Sequence, residues 1–369
     1  MVLASAGAWH RAPDIFARTS LHFHQLGYRV KHGVITDYDG SLLRRMSDID
    51  GLDAFSLHTT KKAPWRVMRL LPILDEERPD LIIAHLFHSY ITARILGRLM
   101  RRIPVISVLR SSGQGWARNL VDRTTIGLTD YFVVVSADSA QFARNTLHVP
   151  ESKLRMIPPG VDLDYILNPL ESRETTRRKL GFAENHFVIG CIARFHPVKD
   201  HGTLLRAFRI VLQRRPAARL LLVGDGPELP RIRQLAGRAG LQNEVVFTGY
   251  RCDVPELYAA MDAFCLTSRR EGMPKALLEA MVAGKPVVAT RAPGITSILR
   301  HQENSLLASI GDAASIADAL DAIAAEPSLI SAITAAAKAE AMKFSLARYL
   351  TAYQELAEAI VGTPQSSAV

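Results

Sequence analysis

Residues 271–290 read EGMPKALLEAMVAGKPVVAT, and the interpretation of this stretch governs that of the whole chain. Pro274 suits the first position of a helix, where a missing N–H costs nothing. Gly284 suits a helix stop, and the apolar run 287–290 then reads as a buried strand. Glu271 stands just before the helix start and Glu279 within its first turns, eight residues apart. Free N–H groups at a helix start favour an anion, typically a phosphate. A carboxylate there repels phosphate, so each glutamate is read as accepting hydrogen bonds from nearby hydroxyls. Phosphate together with hydroxyls points to a sugar nucleotide. The competing reading is a capped amphipathic helix with two solvated glutamates.

The 369 residues suffice for two domains of ordinary size, and their 48% apolar and 22% charged content is that of a globular protein. No apolar run approaches the ~18 residues of a membrane span. The start, MVLASAGAWHR, lacks the basic region and apolar length of a signal peptide. Cys191, Cys252 and Cys265 lack metal-site spacing; Cys191 and Cys265 fall in apolar runs and are expected to be buried thiols, which suits a reducing cytoplasm. The net charge of +9 favours anionic partners. No nucleic-acid motif accompanies it, so no nucleic-acid partner is expected. Lys61, Lys62, Trp65, Arg66 and Arg69 alternate with Val67, Met68, Leu70 and Leu71. That pattern fits either an amphipathic helix on an anionic membrane or, as the favoured reading, a surface helix with its apolar side in the core.

Apolar strand-like runs alternate with helical patterns, the signature of doubly wound α/β domains. In the first half the expected strands are 30–36, 81–85, 105–108, 131–135 and 154–157, with a helix at 14–26 ended by Gly27. The turn IPPG and the polar stretch 163–185 read as an interdomain connection. The second half restarts with strands 187–193, 220–223, 245–248, 263–267 and 287–290. The expected division is residues 1–165, residues 166–343, a helix over 344–361 crossing back to the first domain, and a disordered tail, 362–369.

The 271–290 stretch resembles the E-x7-E signature of the family 4, or group 1, retaining glycosyltransferases. The resemblance implies the GT-B fold: two Rossmann-like domains facing a cleft. In CIARFHPVKDHG, Arg194 and Lys199 follow a strand end, where open α/β sheets bind ligands. Two cations there can stabilise a departing diphosphate. The run resembles the family's R-x4-K element, whose cations contact donor phosphates. The resemblance further implies that Glu271 holds donor-sugar hydroxyls, with Gly272, Met273 and Pro274 around it, and that Glu279 holds the ribose. Gly249, Tyr250 and Val254 would lie by the nucleotide base. The turn Gly224–Asp225–Gly226 lacks a full dinucleotide fingerprint and is read as structural.

In the first half, His85 and His88 follow a strand; a sugar contact or proton transfer competes there with plain packing. As metal ligands they lack a third partner. Arg110 stands where several family members have histidine, and is read as a contact for donor phosphate or an anionic acceptor. Gly7 stands in for the family's loop glycine. Ser297 occupies an expected acid position, which alters a donor-hydroxyl contact. Three D-x-D triplets, at 37–39, 48–50 and 162–164, are decoys of a metal motif belonging to another fold. No metal and no other cofactor is expected. The implied activity is retaining transfer from a nucleotide-diphosphate sugar to a saccharide or lipid-linked saccharide acceptor, in bacterial cell-surface polysaccharide or lipopolysaccharide synthesis. It would take place in the cytoplasm or peripherally on the inner membrane face. Alternatives are a GT-B sugar-nucleotide epimerase and a non-catalytic sugar-nucleotide-binding partner. A glycoside hydrolase fits less well, because eight helical residues span ~12 Å, too far for acids that flank one bond.

Overall fold

A computed structural model of the chain describes residues 1–4, 15–35, 53–60, 62–110 and 115–363. It divides into two compact units, Met1–Gly160 with Ala347–Val369, and Val161–Leu346. The first unit contains β1 (Val2–Ala4), β2 (Lys31–Val34), β3 (Asp53–Ser56), β4 (Ile82–His85), β5 (Val105–Leu109), β6 (Tyr131–Val134) and β7 (Leu154–Met156). They form one sheet in the order β3-β2-β1-β4-β5-β6-β7, parallel throughout. The second contains β8 (Phe187–Ile192), β9 (Ala218–Val223), β10 (Val245–Gly249), β11 (Ala263–Leu266), β12 (Val287–Thr290) and β13 (Leu306–Ala308), in the parallel order β10-β9-β8-β11-β12-β13. Strand direction is dictated by connection length: each pair is joined by a segment long enough to cross over, and parallel strands need such crossovers.

The central strands are covered on both faces and therefore read as unbroken apolar runs rather than alternating ones. VISVL of β5 is buried at every position, as is AFCL of β11. Each unit has its own apolar core, one around Ile82, Val105 and Phe132, the other around Ile189, Leu221 and Phe264. In each sheet the strand order reverses once, between β1 and β4 and between β8 and β11. At the carboxyl ends of strands flanking such a reversal, neighbouring loops part and a ligand can enter.

Three features differ from the sequence expectations. The short edge strands β3 and β13 were not anticipated, and β1, only three residues long, sits in the middle of its sheet. The stretch 163–185 is not a bare connection. It carries helices Leu163–Leu167 and Arg173–Lys179 and belongs to the second unit, which begins at Val161. Its arginines turn inward: Arg173 and Arg177 each reach a different oxygen of Asp262 at 2.5 Å, and Arg177 Nε donates to the Ala260 carbonyl. Lastly, the short 3-10 helix Pro64–Arg69 buries none of its residues, so its apolar side chains do not all enter the core; Trp65 and Met68 are exposed.

The helix Leu346–Val361 is grouped with the first unit from Ala347 onward. Its Tyr349 hydroxyl lies 3.4 Å from Thr19 Oγ1, and Gln354 Oε1 lies 3.2 Å from His22 Nε2. Of the expected tail 362–369, all beyond Thr363 lies outside the described residues. No single described helix is long and apolar enough to cross a membrane.

Candidate active site

Four loops converge around the strand-order reversal of the second unit. The chain leaves β8 through Ala193–Phe195, over the Gly224–Asp225–Gly226 turn that leaves β9. Phe195 N donates to the Asp225 carbonyl at 2.9 Å. A Cβ on Gly224 would stand 2.1 Å from the Ala193 carbonyl oxygen, and one on Gly226 2.4 Å from that of Phe195. Glycine is the residue that allows this approach, since both positions also have positive φ. The turn thus supports the loop that carries Arg194. The Arg194 side chain is exposed and has no ion-pair partner among the described residues.

The chain then makes the single 3-10 turn Pro197–Lys199. Asp200, at φ 47°, caps the helix His201–Arg214 by accepting from Thr203 N. The loop after β11 is fastened to it. Arg269 N donates to the Val198 carbonyl at 2.8 Å, and Arg269 pairs with Asp200 at 2.8 Å. This joining brings Lys199 Nζ to 2.5 Å from Glu271 Oε1. Ser268 Oγ donates to the same oxygen at 2.5 Å. Glu271 Oε2 makes no hydrogen bond among the described residues. The carboxylate is therefore held by one oxygen and open at the other.

A third loop, after β12, supports Glu271 from behind. Glu271 N donates to the Pro293 carbonyl, and a Cβ on Gly294 would come within 2.3 Å of the Glu271 carbonyl oxygen. Ser297 donates its hydroxyl to Gly294 O at 2.9 Å, so it is committed to shaping this loop.

The helix that follows begins at Lys275, with Pro274 as its N-cap rather than its first residue, and no side chain caps it. Proline accounts for the shift: its fixed φ is satisfied at either position, and its ring precludes a side-chain hydrogen bond. An uncapped helix start leaves backbone donors for a ligand. Gly272 and Met273 are half-buried beside it. Glu279 is 7% exposed. Lys275 Nζ lies 2.7 Å from its Oε1 and the Tyr258 hydroxyl 3.1 Å from its Oε2, that hydroxyl being also 2.9 Å from the Ala276 carbonyl. Burial, reinforced by the Glu279 charge, raises the Tyr258 phenol far above its ordinary range, so it remains a hydrogen-bond donor. Nearby, Gly249 ends β10 at φ 69° and Val254 opens the helix Val254–Ala260, with half-buried Tyr250 between them.

The first unit handles its candidates differently. His85 ends β4 but is fully buried, 4.2 Å from the Phe16 ring and 6.1 Å from the Tyr353 ring. Neither ring nitrogen has a hydrogen-bond partner among the described residues. Burial, with the Arg110 charge second, pushes its pKa well below the usual range and keeps the ring neutral. This departs from the proton-transfer expectation and is the packing alternative weighed against it. His88 is on the next helix, largely open to solvent, and partial burial followed by the Arg118 charge lowers its pKa. Arg110 is half-buried, its guanidinium 5.1 Å from the centre of the Phe16 ring. Gly7 and the triplets 37–39 and 48–50 lie outside the described residues. Asp162 of the third triplet caps the helix Leu163–Leu167. Among the described residues no group of three or more His, Cys, Asp or Glu is placed to hold a metal.

Sequence reasoning missed Ser268, Tyr258 and Lys275. A signal existed for two of them: Ser268 stands three residues before Glu271, and Lys275 stands four before Glu279, one helical turn. Tyr258 comes from another helix, and nothing local announces it.

Two doubly wound parallel units, one with a carboxylate and a lysine held together at its strand-order reversal, define an α/β protein of two-unit design. The model "Glycosyl transferases group 1" matches residues 172–340, and the model "Glycosyltransferase Family 4" matches residues 16–165. The chain belongs to the group 1, family 4 glycosyltransferases and has the GT-B fold. It is 29% identical over 267 residues to the N-acetyl-alpha-D-glucosaminyl L-malate synthase of Bacillus anthracis, covering 68% of this chain and 66% of that protein. It is 24% identical over 269 residues to the UDP-Gal:alpha-D-GlcNAc-diphosphoundecaprenol alpha-1,3-galactosyltransferase of Escherichia coli, covering 69% and 68%. The crystal structure of Anabaena HepE in complex with UDP-glucose superposes with a TM-score of 0.80 at 25% identity, over 97% of this chain and 98% of that one.

Proposed function

We propose that the chain moves a glycosyl group from a nucleotide-diphosphate sugar to an acceptor hydroxyl, with retention of configuration at C1. The observation that carries this reading is the fixed Lys199–Glu271 pair at the β8/β11 reversal, with Glu271 Oε2 open and the uncapped start of the helix Lys275–Val282 following it. Lys199, the exposed Arg194 and the helix start present positive charge to a diphosphate. In the reaction the bond from C1 to the diphosphate oxygen breaks, a bond from C1 to the acceptor oxygen forms, and the acceptor proton leaves with the diphosphate. Glu271 accepts a donor-sugar hydroxyl at Oε2. Glu279 takes the ribose at Oε1 when Lys275, half-exposed and one turn away, gives up that oxygen.

The Escherichia coli relative, named for UDP-Gal, and the HepE structure with UDP-glucose support a nucleotide-sugar donor. The Escherichia coli relative's own name, with its lipid-linked acceptor, supports an acceptor of that kind, and the name of a Rhizobium meliloti relative, a lipopolysaccharide core biosynthesis glycosyltransferase, supports a place in such synthesis. Cys191 and Cys265, buried as thiols without a disulfide, suit a reducing cytoplasm. Because resident side chains supply the positive charge, EDTA is expected to leave the rate unchanged. The decisive experiment is a panel of nucleotide-diphosphate sugars scored for binding by thermal shift and for slow hydrolysis, followed by NMR of the product anomer. One selective donor, hydrolysed with retention, supports the reading. Selective binding without turnover sinks it in favour of a non-catalytic partner, and an inverted anomer sinks the retaining mechanism.

A further inference from the structure

The stretch that opens the second unit is pinned along its length. Val161 N donates to the Phe344 carbonyl at 2.8 Å, and Leu346 N to the Val161 carbonyl at 2.7 Å. Asp162 caps the helix Leu163–Leu167 by accepting from Tyr165 N at 3.1 Å. Ile166 enters the apolar core. Beyond the helix, Leu170 N donates to Oε1 of the buried Glu256 at 2.8 Å. The helix packs against the helices Val254–Ala260 and Lys275–Val282, which carry Val254 and Glu279. So short a helix cannot hold itself in water, so these contacts are what fix the place of Tyr165.

Tyr165 is 42% exposed, and its ring is therefore not core filling. Its hydroxyl donates to the carbonyl of Cys252, 87 residues along the chain. Cys252 lies in the loop that leaves β10 at Gly249 and ends where the next helix opens at Val254. The loop is fixed at its start, where the Gly249 carbonyl accepts from Gly224 N at 2.8 Å. Further on, Arg251 Nε lies 2.7 Å from Asp253 Oδ1, a local pair of half-exposed side chains that contributes little. The bond from Tyr165 supplies the long-range tie that this pair does not. A peptide is planar, so holding the Cys252 carbonyl also sets the direction of the Asp253 N–H, immediately before Val254. Burial, followed by the charges of Glu256, Cys252 and Glu279, raises the Tyr165 phenol above its ordinary range, so it remains a donor. Tyr165 thus stands near both the loop and the Glu279 carboxylate.

We infer that Tyr165 is a positioning residue for the nucleoside half of the donor: its hydroxyl, on the Cys252 carbonyl, sets the loop 249–254 for the base while Glu279 takes the ribose. The inference rests on the nucleotide-sugar reading of this site and adds to it a residue from outside its loops. A fixed loop meets its ligand with less ordering left to do, and that advantage appears as affinity. It does not appear in the bond-breaking step, because base and ribose lie away from C1.

The test compares the full chain with Tyr165→Phe, which removes the hydroxyl and keeps the ring. Isothermal titration with the diphosphates of uridine, guanosine, adenosine, cytidine and thymidine measures the nucleoside end alone. Cys191 and Cys265 are buried, so the rate of alkylation by a maleimide reports on the exposed Cys252 and hence on the loop. Tyr165→Phe should weaken the selected nucleotide about tenfold, the scale of one hydrogen bond, and raise the donor KM by the same factor with little change in kcat. It should also speed the alkylation of Cys252, with the melting temperature unchanged. Equal affinity in the two proteins overturns the inference and leaves the donor reading standing, as does a fall in kcat at constant KM. Weaker binding without faster alkylation overturns it in favour of a direct contact between the hydroxyl and the nucleotide. A native chain that binds none of these diphosphates overturns the donor reading itself, and the inference with it.

Discussion

Beyond the carboxyl ends of β8 and β11 the second unit leaves a guanidinium in solvent and, among the described residues, one oxygen of Glu271 unbonded; at the carboxyl end of β4 the first unit buries an imidazole with neither nitrogen bonded to a described residue. The strand orders around these two points are the same. One topology thus serves two electrostatic regimes. At its strand-order reversal the second unit holds Lys199 and Glu271 in place by neighbours, ready for a ligand, while elsewhere in it Arg177 and Asp262 pair inward. In the first unit charges are turned inward, as in the buried Arg94–Asp122 pair, or kept neutral, as in His85 and His32, and their work is to hold helices in position. A sheet order alone therefore marks where a site can be, while the fate of charge at that point decides whether one is there.

The comparison breaks most sharply at Asp122. Asp122→Ala strands the buried Arg94 and should cost about 3–5 kcal/mol, read by denaturant unfolding. A loss below 1 kcal/mol would mean that the pair is not structural. Lys199→Ala should instead leave stability nearly intact while kcat falls about 10²–10³-fold, the scale of removing one electrostatic stabiliser. Parallel loss of fold and rate would erase the distinction between the units. Glu279→Ala should weaken donor binding about 10–100-fold, as expected for hydrogen bonds to a charged group, with a smaller change in kcat; isothermal titration with the donor measures it. The smallest effect is that of pH. Burial pushes His32 down to about 3 in the folded chain, against an ordinary value near 6.5. Its contribution is complete above pH 6.5 and is lost as the pH falls from there toward 3. At pH 5 the loss is about 2 kcal/mol. All three tryptophans, Trp9, Trp65 and Trp116, belong to the first unit, so their fluorescence follows that unit alone. His32→Asn should flatten the acid dependence; an unchanged profile would remove His32 from the account. The second unit carries a similar group, His201, pushed down to about 4 by burial; its loss should match that of His32 down to about pH 4 and level off below it.

The fold was legible where burial writes itself into composition. VISVL and AFCL announce covered strands, and the restart of the alternation after residue 185 announces a second unit. β3 was not legible, because DAFS is a half-exposed edge strand with no apolar run. The polar stretch around Arg173 and Arg177 looked like a connection because its partner, Asp262, is some 85 residues away. At the site, the loops that carry Lys199 and Glu271 were readable from the apolar runs before them, while the roles of these residues came from the family resemblance. His85 misled for the opposite reason. A histidine at a strand end looks catalytic locally, and its burial depends on Phe16 and on Tyr353, far along the chain. The orientation of the helix Trp116–Thr125 was not legible because Arg94, which holds its Asp122, sits on another element.

The return of the C-terminal helix to the first unit has a consequence for synthesis. A ribosome delivers residues in order, and domains generally fold as they emerge. Here the second unit, ending at Leu346, is complete while the first still lacks the helix whose Tyr353 lies beside His85. The unit made first is the one finished last. Until those closing residues appear, the nascent chain exposes an apolar seam along Phe16 and the ring it covers, a window in which chaperones have something to hold.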